Sequence, residues 1–556
     1  MKKHLFAFIP LLFILLNACG SKTQEHDTSE TKEVDLIVHN AKVYTVDSTF
    51  SQAEAFAVKN GQFVAVGSSK DILTKYTAKK KIDLQKKPVY PGFFDAHCHF
   101  YRYGLGLREV NLVGTASFAE IVAKLQTFRK QNPAQAWLAG RGWDQNDWDL
   151  KEFPSKDTLD KLFPDVPVFL TRVDGHAALA NQKALDLAGV KNGVKVDGGI
   201  VETKNGELTG ILIDNAIQLV RKAIPEASKA EQTTALLNAQ KQCFAVGLTS
   251  VVDAGLNRSN IELINELQQA KQLKMRVYAM VSATKADLDY YLTKGKIKTD
   301  YLHVRSVKVY ADGALGSRGA CLLHPYHDKP EEQGFLLSSP QTLDSLVQRI
   351  AAKGFQVNTH CIGDSANRLL LDIYAKYLKG NNDLRWRIEH AQVVNKADLK
   401  KFAEFSIIPS VQPTHGTSDM YWADERLGNE KIKTAYAYKD LLKQGRLLAI
   451  GSDFPVEHIN PLYGFHAGVA RQDAKNFPEG GFQMENAISR KQALKGMTIW
   501  AAFSSFEENE KGSIEPGKMA DFVVTEKDLM TAPKTELRQL KVLRTFVGGE
   551  QVYKHK

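Results

Sequence analysis

Cysteine is scarce in this chain, with five residues among 556. One lies near the amino terminus, and the other four, Cys98, Cys243, Cys321 and Cys361, are scattered without a CxxC pair. This spacing favours neither a zinc knuckle nor a disulfide framework. Proline is also infrequent, at 18 residues, and no low-complexity tract dominates. The composition is therefore that of a globular protein that can bury a large core.

Clustered positive charge is also lacking, although the formal net charge is +10. Lysines and arginines are spread along the chain, usually beside acidic residues, as in Lys151-Glu152. A nucleic-acid-binding surface would need these charges grouped, so we expect no nucleic-acid partner. Attraction to an anionic membrane surface is the milder interpretation. The length is too great for one ordinary domain but suits a large barrel with a second module.

The amino terminus has the pattern of an export signal. Lys2-Lys3 precede an apolar run over residues 5–16, LFAFIPLLFILL. This run is shorter than the ~20 residues that a membrane-spanning helix needs. The pattern therefore predicts a signal peptide over residues 1–19.

The end of that segment, Leu16-Asn17-Ala18-Cys19, resembles a bacterial lipobox. The resemblance implies cleavage before Cys19 and lipidation of that residue, which would anchor the protein in the cell envelope. Gly20 after the cysteine favours the outer membrane over the inner one, with a periplasmic or surface-facing domain. An ordinary signal peptide with a chance cysteine is the alternative. Residues 20–33 are polar without apolar periodicity, so we expect a flexible tether there.

Both ends of the remaining chain are rich in strand patterns. Residues 34–66 alternate and are β-branched, and Asn60-Gly61 is a hairpin signal. Residues 520–525 and 542–553 repeat this pattern near the carboxyl terminus. We therefore predict one composite β-sandwich, built from residues 34–88 and 503–556.

The middle of the chain alternates buried strand patterns with helix patterns. Helical periodicity covers, for example, residues 342–353 and 365–378. The eight strand candidates are 89–99, 248–254, 275–282, 306–312, 356–360, 386–390, 407–412 and 447–453. This alternation predicts an α/β fold with a TIM-like (β/α)₈ barrel over residues 89–502. The first two strands are about 150 residues apart, which is too long for a plain loop. We therefore expect residues 100 to about 225 to hold helix one and an inserted subdomain over the barrel mouth.

Ionisable residues lie where these strands end. His97 and His99 are two residues apart in a strand, so both side chains face the same way, while Cys98 faces the other way. TIM barrels keep their active sites at the carboxyl ends of their strands. Lys308 lies within a β-branched run, where an unpaired ammonium would be costly.

Three further strand ends carry metal-ligand chemistry: His360, His390 and Asp453. A single histidine at a strand end is usually structural, but six ionisable residues at one barrel mouth indicate a site. Imidazole and carboxylate groups suit zinc or another borderline divalent ion.

The order HxH, Lys, His, His, Asp resembles the amidohydrolase superfamily with a binuclear centre. The segments PGFFDAHCHF, VKVYADGALGSRGA, NTHCIGD, RIEHAQ and GSDFPV resemble amidohydrolase family 3. Within it they are similar to the YtcJ-like branch that includes N-substituted formamide deformylases. This resemblance covers nearly all of the chain from Val34 onward.

The resemblance implies roles for these residues. His97 and His99, with Asp453, would hold one divalent ion, and His360 and His390 would hold a second. Both ions would be zinc, and Lys308 would carry a CO₂-derived carbamate that bridges them. A hydroxide shared by the two ions would be the nucleophile, and Asp453 would take its proton and pass it to the leaving nitrogen.

Other residues are candidates for substrate contacts. His176 is a candidate catalytic residue, as a substrate or oxyanion contact. The candidate substrate-binding residues are Trp143, Asp144, Arg172, Asp312, Arg318 and Gln412, with His415 as a weaker candidate. The Trp143 cluster, with Asn146 and Trp148, could instead staple its loop to the barrel. Asp312 and Arg318 could bind a substrate acid or tie their loop down.

The predicted reaction is hydrolysis of a C–N bond, such as that of an N-substituted formamide or an N-acyl amine. Because one barrel hosts many chemistries, a cyclic-amide hydrolase, a deaminase or a dipeptidase-like activity stays open. A different class is a non-catalytic, membrane-anchored binding or regulatory protein. The expected partners are a small amide-type molecule and, through the lipid, a membrane, and a homo-oligomer is left open.

Overall fold

A computed structural model of the protein describes residues 31–556. The predicted signal peptide, Cys19 and the tether up to residue 30 lie outside the described residues. From residue 31 onward, no helix combines the length and apolar character needed to cross a bilayer.

Parallel strands form a barrel in the middle of the chain, each paired with the next one along the sequence. Barrel strands 1 to 8 are Phe93–Cys98, Leu248–Leu256, Arg276–Ser282, Leu302–Tyr310, Gln356–Cys361, Arg387–His390, Ile408–Val411 and Ala449–Ile450. Their residues are almost all buried, as expected for strands covered on both faces. The predicted TIM-like barrel is confirmed.

Side chains and backbone join barrel strands 1 and 8. The Asp95 carboxylate accepts a hydrogen bond of 2.6 Å from the Ser452 hydroxyl. The amide of Asp453 donates to the carbonyl of His97 at 2.7 Å. Gly451 lies so close to His97 that a Cβ atom there would collide with its backbone. This close approach places Asp453 beside the end of barrel strand 1.

Three predicted strands differ most from those observed, and the eighth, expected over 447–453, is only Ala449–Ile450. The segment expected as one strand over 89–99 divides at Gly92, where a Cβ atom would collide with the side chain of Thr249. Pro88–Pro91 pairs in a sheet outside the barrel, and only Phe93–Cys98 enters the barrel. The fourth strand, expected over 306–312, runs over Leu302–Tyr310.

The chain ends build two sheets that pack together. The first contains, in spatial order, Gln62–Gly67, Ala55–Lys59, Lys32–His39 and Tyr76–Asp83. The second contains Glu550–Lys554, Val542–Val547, Phe522–Thr525, Pro88–Pro91, Lys42–Tyr44 and Gln52–Ala53. The rings of Phe56 and Phe522 meet across the interface at 4.9 Å between centroids. The expected composite sandwich is therefore present.

The long segment between barrel strands 1 and 2 forms a sheet of its own. Its strands, in spatial order, are Gly199–Lys204, Glu207–Asp214, Ala177–Ala180, Val168–Arg172, Leu138–Trp143 and Val110–Asn111. Its helices are Phe118–Gln131, Asp157–Leu162, Gln182–Leu187 and Ile217–Arg221, with a 3₁₀ turn at Gln145–Asp147. This is the inserted subdomain that the sequence predicts.

Helices surround the barrel and follow its strands. They are Phe100–Gly106, Lys229–Ala245, Arg258–Gln269, Lys285–Lys294, Pro340–Ala351, Asp364–Tyr377, Lys400–Glu404, Pro413–Ser418, Ala423–Lys431, Tyr438–Gly445, Pro461–Ala470, Arg490–Gly496 and Ile499–Ser504. Smaller elements are the helix Ser69–Lys75, the strand Ile297–Lys298 and the 3₁₀ turns Asp419–Tyr421, Ile432–Thr434, Met484–Asn486 and Lys534–Gln539.

Candidate metal centre

The two histidines that end barrel strand 1 face the carboxylate of Asp453. Oδ1 of Asp453 lies 3.5 Å from Nε2 of His97 and 3.1 Å from Nε2 of His99. The Nδ1 atom of His97 contacts Glu389, and that of His99 lies 3.0 Å from the carbonyl oxygen of Ala254. Because acceptors hold both Nδ1 positions, each Nε2 keeps its lone pair, and both Nε2 atoms face Oδ1 of Asp453. Such outer contacts orient histidines as metal ligands.

Glu389 is the acceptor that fixes His97, and the sequence interpretation missed it. Burial raises the pKa of the Glu389 carboxyl, but the charges of Arg387 and His97 outweigh burial and hold the pKa well below its usual range. Nε of Arg387 lies 2.6 Å from Oε1 of Glu389. Glu389 therefore stays ionised. The available signal was the Arg-x-Glu spacing before His390, which places opposite charges on one face of a strand.

A second group of ligand-type atoms lies on the other side of Asp453. It contains His390, which ends barrel strand 6, and His415, in the helix after barrel strand 7. Nδ1 of His390 lies 2.8 Å from Oε1 of Gln412, and Nε2 of His415 lies 3.8 Å from Oδ2 of Asp453. The sequence suggested His415 as a pocket residue and not as a metal ligand.

The residues present fit a divalent cation. In each of the two groups the ligand atoms lie within 4.8 Å of one another. Oδ1 of Asp453 and Nε2 of His415 are buried, and neither finds a hydrogen-bond partner within residues 31–556. A bound cation would satisfy both atoms, and imidazole with carboxylate is a zinc-type donor set.

Two of the candidate ligands have a strained backbone. His390 has φ of +71° and Asp453 has φ of +63°. A side chain other than glycine is costly in this left-handed region, and such strain gathers at functional sites. The fold therefore holds both side chains in positions that an unconstrained chain would avoid.

Lys308 and His360 lie beside these groups. The buried Nζ of Lys308 is 3.2 Å from Nε2 of His97, and no carboxylate in the described chain lies within ion-pair distance of it. Burial lowers the pKa of Lys308 to about 8. The ring of His360 lies 4.6 Å from that of His390 between centroids, but its Nε2 points to the carbonyl of Gly313, at 3.5 Å. The structure thus brings His360 next to the candidate centre without placing it in either ligand group.

The centre lies at the floor of a cavity of about 860 Å³, walled by the barrel loops and the inserted subdomain. His176 lines this cavity, and its Nδ1 is 2.5 Å from Oδ1 of Asp214. Asp144 and Arg172 also line the cavity and contact each other. Arg172 pairs in addition with Asp174, at 2.5 Å. Three of the predicted site residues thus share one wall.

Trp143 is not part of that wall. Its buried indole Nε1 donates to the carbonyl of Leu170 at 2.9 Å, and its ring lies 6.1 Å from that of Trp148 between centroids. The contacts of Trp143 are those of a residue that fastens its loop to the inserted sheet.

Asp312, Arg318 and Gln412 also lie outside the cavity wall. The buried carboxylate of Asp312 accepts hydrogen bonds from three backbone amides, those of Cys321 (2.9 Å), Ile362 (3.0 Å) and Gly363 (2.8 Å). Arg318 pairs with Asp328 at 2.8 Å, and Gln412 holds His390. The contacts of Asp312 and Arg318 are those of residues that tie their loop down, which is the second of the two predicted roles. Gln412 holds the candidate ligand His390 in place and does not line the substrate cavity.

Comparison with known proteins finds relatives and a solved structure that match most of the chain. A sequence profile described as the amidohydrolase family matches residues 80–553. The chain is 32% identical over 528 residues to YtcJ of Bacillus subtilis, which is named as an amidohydrolase, covering 93% of this chain and 99% of YtcJ. It is 27% identical to an N-substituted formamide deformylase of Arthrobacter pascens, over 93% of this chain and 98% of that protein. The fold is similar to the crystal structure of a metal-dependent hydrolase from Pyrococcus horikoshii, with a TM-score of 0.74 and 28% sequence identity. The match covers 90% of this chain and 99% of that one.

Proposed function

The chain belongs to the amidohydrolase family, and from this premise we propose that it hydrolyses the C–N bond of a small amide-type substrate. N-substituted formamides and N-acyl amines are the first classes to test, because an N-substituted formamide deformylase is a relative over nearly its whole length. The observation that carries the proposal is the position of Asp453. Its carboxylate lies between the imidazoles of two ligand groups at the floor of the cavity.

Divalent ions would be held by His97 and His99 with Asp453, and by His390 and His415 or His360. A bound ion of this type, zinc being the expected one, lowers the pKa of water and polarises a carbonyl group. The protein contributes the orientation of these ligands, since Glu389, the Ala254 carbonyl and Gln412 each hold one imidazole ring. It also supplies the enclosed wall around the reacting bond.

Asp453 is the group that would accept a proton from water and return it to the leaving nitrogen. Burial raises the pKa of this carboxyl, but the surrounding imidazoles, His99 first, hold it well below its usual range. Asp453 is therefore ionised at neutral pH and free to accept a proton. Its Oδ1 has no hydrogen-bond partner in the described part of the chain and faces Nε2 of His97 and His99, where a cation would be held.

His176 would stabilise the negative charge that develops on the substrate carbonyl oxygen. Its Nδ1–H donates to Asp214, so its Nε2 is the atom left for the cavity. Nε2 carries a proton to donate only when the ring is an imidazolium. Burial lowers the pKa of His176, but the Asp214 carboxylate outweighs burial and the pKa lies above its usual value. The pair thus favours the donating form.

We also propose that Lys308 carries a carbamate. A pKa of about 8 increases the neutral fraction of the amine near neutrality. The neutral nitrogen can attack CO₂, form an N–C bond and release one proton, which leaves an anionic group with two oxygens. This change removes a buried cation beside His97 and supplies ligand oxygens instead.

Anchoring through Cys19 completes the proposal. The support is the apolar run over residues 5–16 followed by Leu16-Asn17-Ala18-Cys19. A lipid on Cys19 would hold the barrel at the outer membrane, where a small amide from outside the cell could reach the cavity.

The test uses metal-replete protein and a panel of N-formyl and N-acyl amines, with release of the free amine as the readout. Asp453→Asn keeps a weak oxygen ligand but cannot accept the proton, so kcat should fall by about 10²- to 10⁴-fold. The matched control is Asp344→Asn, a half-buried carboxylate that pairs with Lys376 on a helix outside the barrel. Absence of turnover on the whole panel, or full activity of Asp453→Asn, would contradict the proposal. Ammonia release from an amino-substituted ring would favour a deaminase instead.

A further inference from the structure

Three arginines reach the cavity from three different elements. Arg102 lies in the helix Phe100–Gly106, which follows barrel strand 1. Arg141 lies in the strand Leu138–Trp143 of the inserted subdomain, and Arg221 is the last residue of the helix Ile217–Arg221. Arg102 comes three residues after His99, so this arginine cluster adjoins the candidate metal centre.

No carboxylate within residues 31–556 lies at ion-pair distance from any of these three guanidinium groups. Arg141 donates to the carbonyl of Val173 at 2.8 Å, while its buried Nε has no partner in the same described range. Arg221 lies over the ring of Phe169, 5.8 Å from its centroid. By contrast, Arg172 in the same cavity wall is neutralised by Asp144 and Asp174.

The three charges are close enough to act on one another. Burial, and after it the charges of Arg102 and Arg141, lower the pKa of Arg221 to about 9. Burial and the charge of Arg102 lower the pKa of Arg141 to about 10. Glu109, also in the wall, acts on both groups, and Asp174 and Asp453 act on Arg141 as well, but burial and the neighbouring guanidinium groups outweigh these acids. A bound anion would remove this repulsion.

We infer that the cavity recognises an amide substrate with an oxyanion group, a carboxylate or a phosphate, held by Arg102, Arg141 and Arg221 away from the scissile bond. This inference rests on the proposed function and narrows its substrate class. Guanidinium groups bind planar oxyanions through two parallel hydrogen bonds, and such bonds are stronger when both partners are charged. The arginine cluster would thus fix one end of the substrate while the metal centre acts on the other.

The kinetic test compares ω-(formylamino)alkanoates of increasing chain length with their methyl esters and with the matching phosphonates. The wild type should prefer an anionic compound by about ten-fold or more in kcat/KM, as expected for charge-assisted hydrogen bonds. Arg221→Gln and Arg102→Gln should raise KM for the anion by about ten-fold and leave the ester unchanged. The preference between carboxylate and phosphonate identifies the oxyanion.

Arg108→Gln is the matched control, since Arg108 follows the same helix but pairs with exposed Glu231 outside the cavity. It should retain the wild-type preference. Equal loss for acid and ester in the cluster variants, or a wild-type preference for the ester, would overturn the inference.

A binding measurement separates this inference from the proposed function. Succinate and inorganic phosphate are titrated calorimetrically into the full-length, metal-replete protein, which needs no turnover. Binding that is lost in Arg221→Gln and kept in Arg108→Gln supports the anion site even if no amide is hydrolysed. Failure of both anions to bind overturns it, even if neutral amides are hydrolysed.

Discussion

Nδ1 of His176 lies 2.5 Å from Oδ1 of Asp214, and this pair faces the cavity beside the candidate metal centre. The ring of His176 is 5.1 Å from that of His360 between centroids. Asp214 has φ of +50°, so the backbone is also constrained at this position. The contact fixes both the orientation of the imidazole and the nitrogen that it presents to a substrate.

The first prediction concerns the pH profile of this pair. Because the folded-state pKa of His176 is raised, the imidazolium persists to a higher pH than that of an ordinary histidine and is lost as the pH rises through that pKa. Asp214→Asn removes the carboxylate, so the basic limb of the kcat profile should move to lower pH. His176→Ala should lower kcat by about 100-fold or more. A basic limb that stays in place in Asp214→Asn would remove His176 from the proposed mechanism.

The second prediction concerns metal content. We expect about two divalent ions per chain, as in enzymes with a two-metal site. His415→Ala should lower the content to about one ion, because its Nε2 belongs to the second ligand group. His360→Ala tests the ligand that the family resemblance implies, and His39→Ala, in the terminal sheet, is the control. Elemental analysis of metal-replete protein gives the answer, and a wild type with a single ion would contradict the two-ion centre.

The third prediction concerns Lys308. Lys308→Ala should lose metal and activity together, because the alanine cannot form the carbamate whose two oxygens would bind the ions. Added short carboxylates should restore part of both, since they can occupy the vacated space. Lys308→Arg keeps a positive charge but cannot form the carbamate, so it should not bind two ions. Intact-mass measurement under gentle conditions should show the mass of added CO₂ on the wild type. Normal turnover by Lys308→Ala would exclude the carbamate.

The fourth prediction concerns stability at Glu507, a buried residue that follows the helix Ile499–Ser504. This buried carboxylate pairs with Lys511 at 3.0 Å and Lys298 at 2.7 Å. Burial raises its pKa, but Lys511 and the other basic neighbours outweigh burial and hold the pKa well below its usual range. The stabilisation is therefore present above the unfolded-state pKa of about 4.3 and is lost as the pH falls below it.

Glu507→Gln leaves Lys511 buried without its charge partner, so the free energy of unfolding at neutral pH should fall by about 3–5 kcal/mol. The difference from the wild type should shrink as the pH falls below about 4. Glu510→Gln is the control, because Glu510 pairs with the same Lys298 at 2.8 Å but is exposed, and it should cost at most about 1 kcal/mol. Urea unfolding at several pH values measures both variants. Equal losses for the two would contradict this explanation.

The fifth prediction concerns localisation. Cys19→Ser in a bacterial host should abolish labelling by a radioactive fatty acid and release the protein from the membrane fraction. Acyl chains contribute about 0.8 kcal/mol per buried CH₂ group, so more than one chain gives stable anchoring. Lipid labelling of Cys19→Ser, or a wild type that is free in the periplasm, would contradict the lipid anchor.

The sequence by itself determined the barrel and the strand ends that carry ligands. Apolar runs of strand length between helical patterns are a local property, so the eight strands were found within a few residues. His97 and His99 were assigned to one face because side chains alternate along a strand. The break at Gly92 was missed because it depends on Thr249, about 150 residues away, which no local pattern of the first strand contains.

Only the tertiary structure decided which groups complete the centre. Glu389 holds His97 across 292 positions of sequence, and Gln412 holds His390 across 22. Loop geometry likewise brings His415 to Asp453 and leaves Asp312 bonded to backbone amides away from the cavity. The arginine cluster also depends on the packing of the inserted subdomain against the barrel. Hydrogen bonds and charge interactions depend on distances between side chains, and those distances are set only when separate elements pack together.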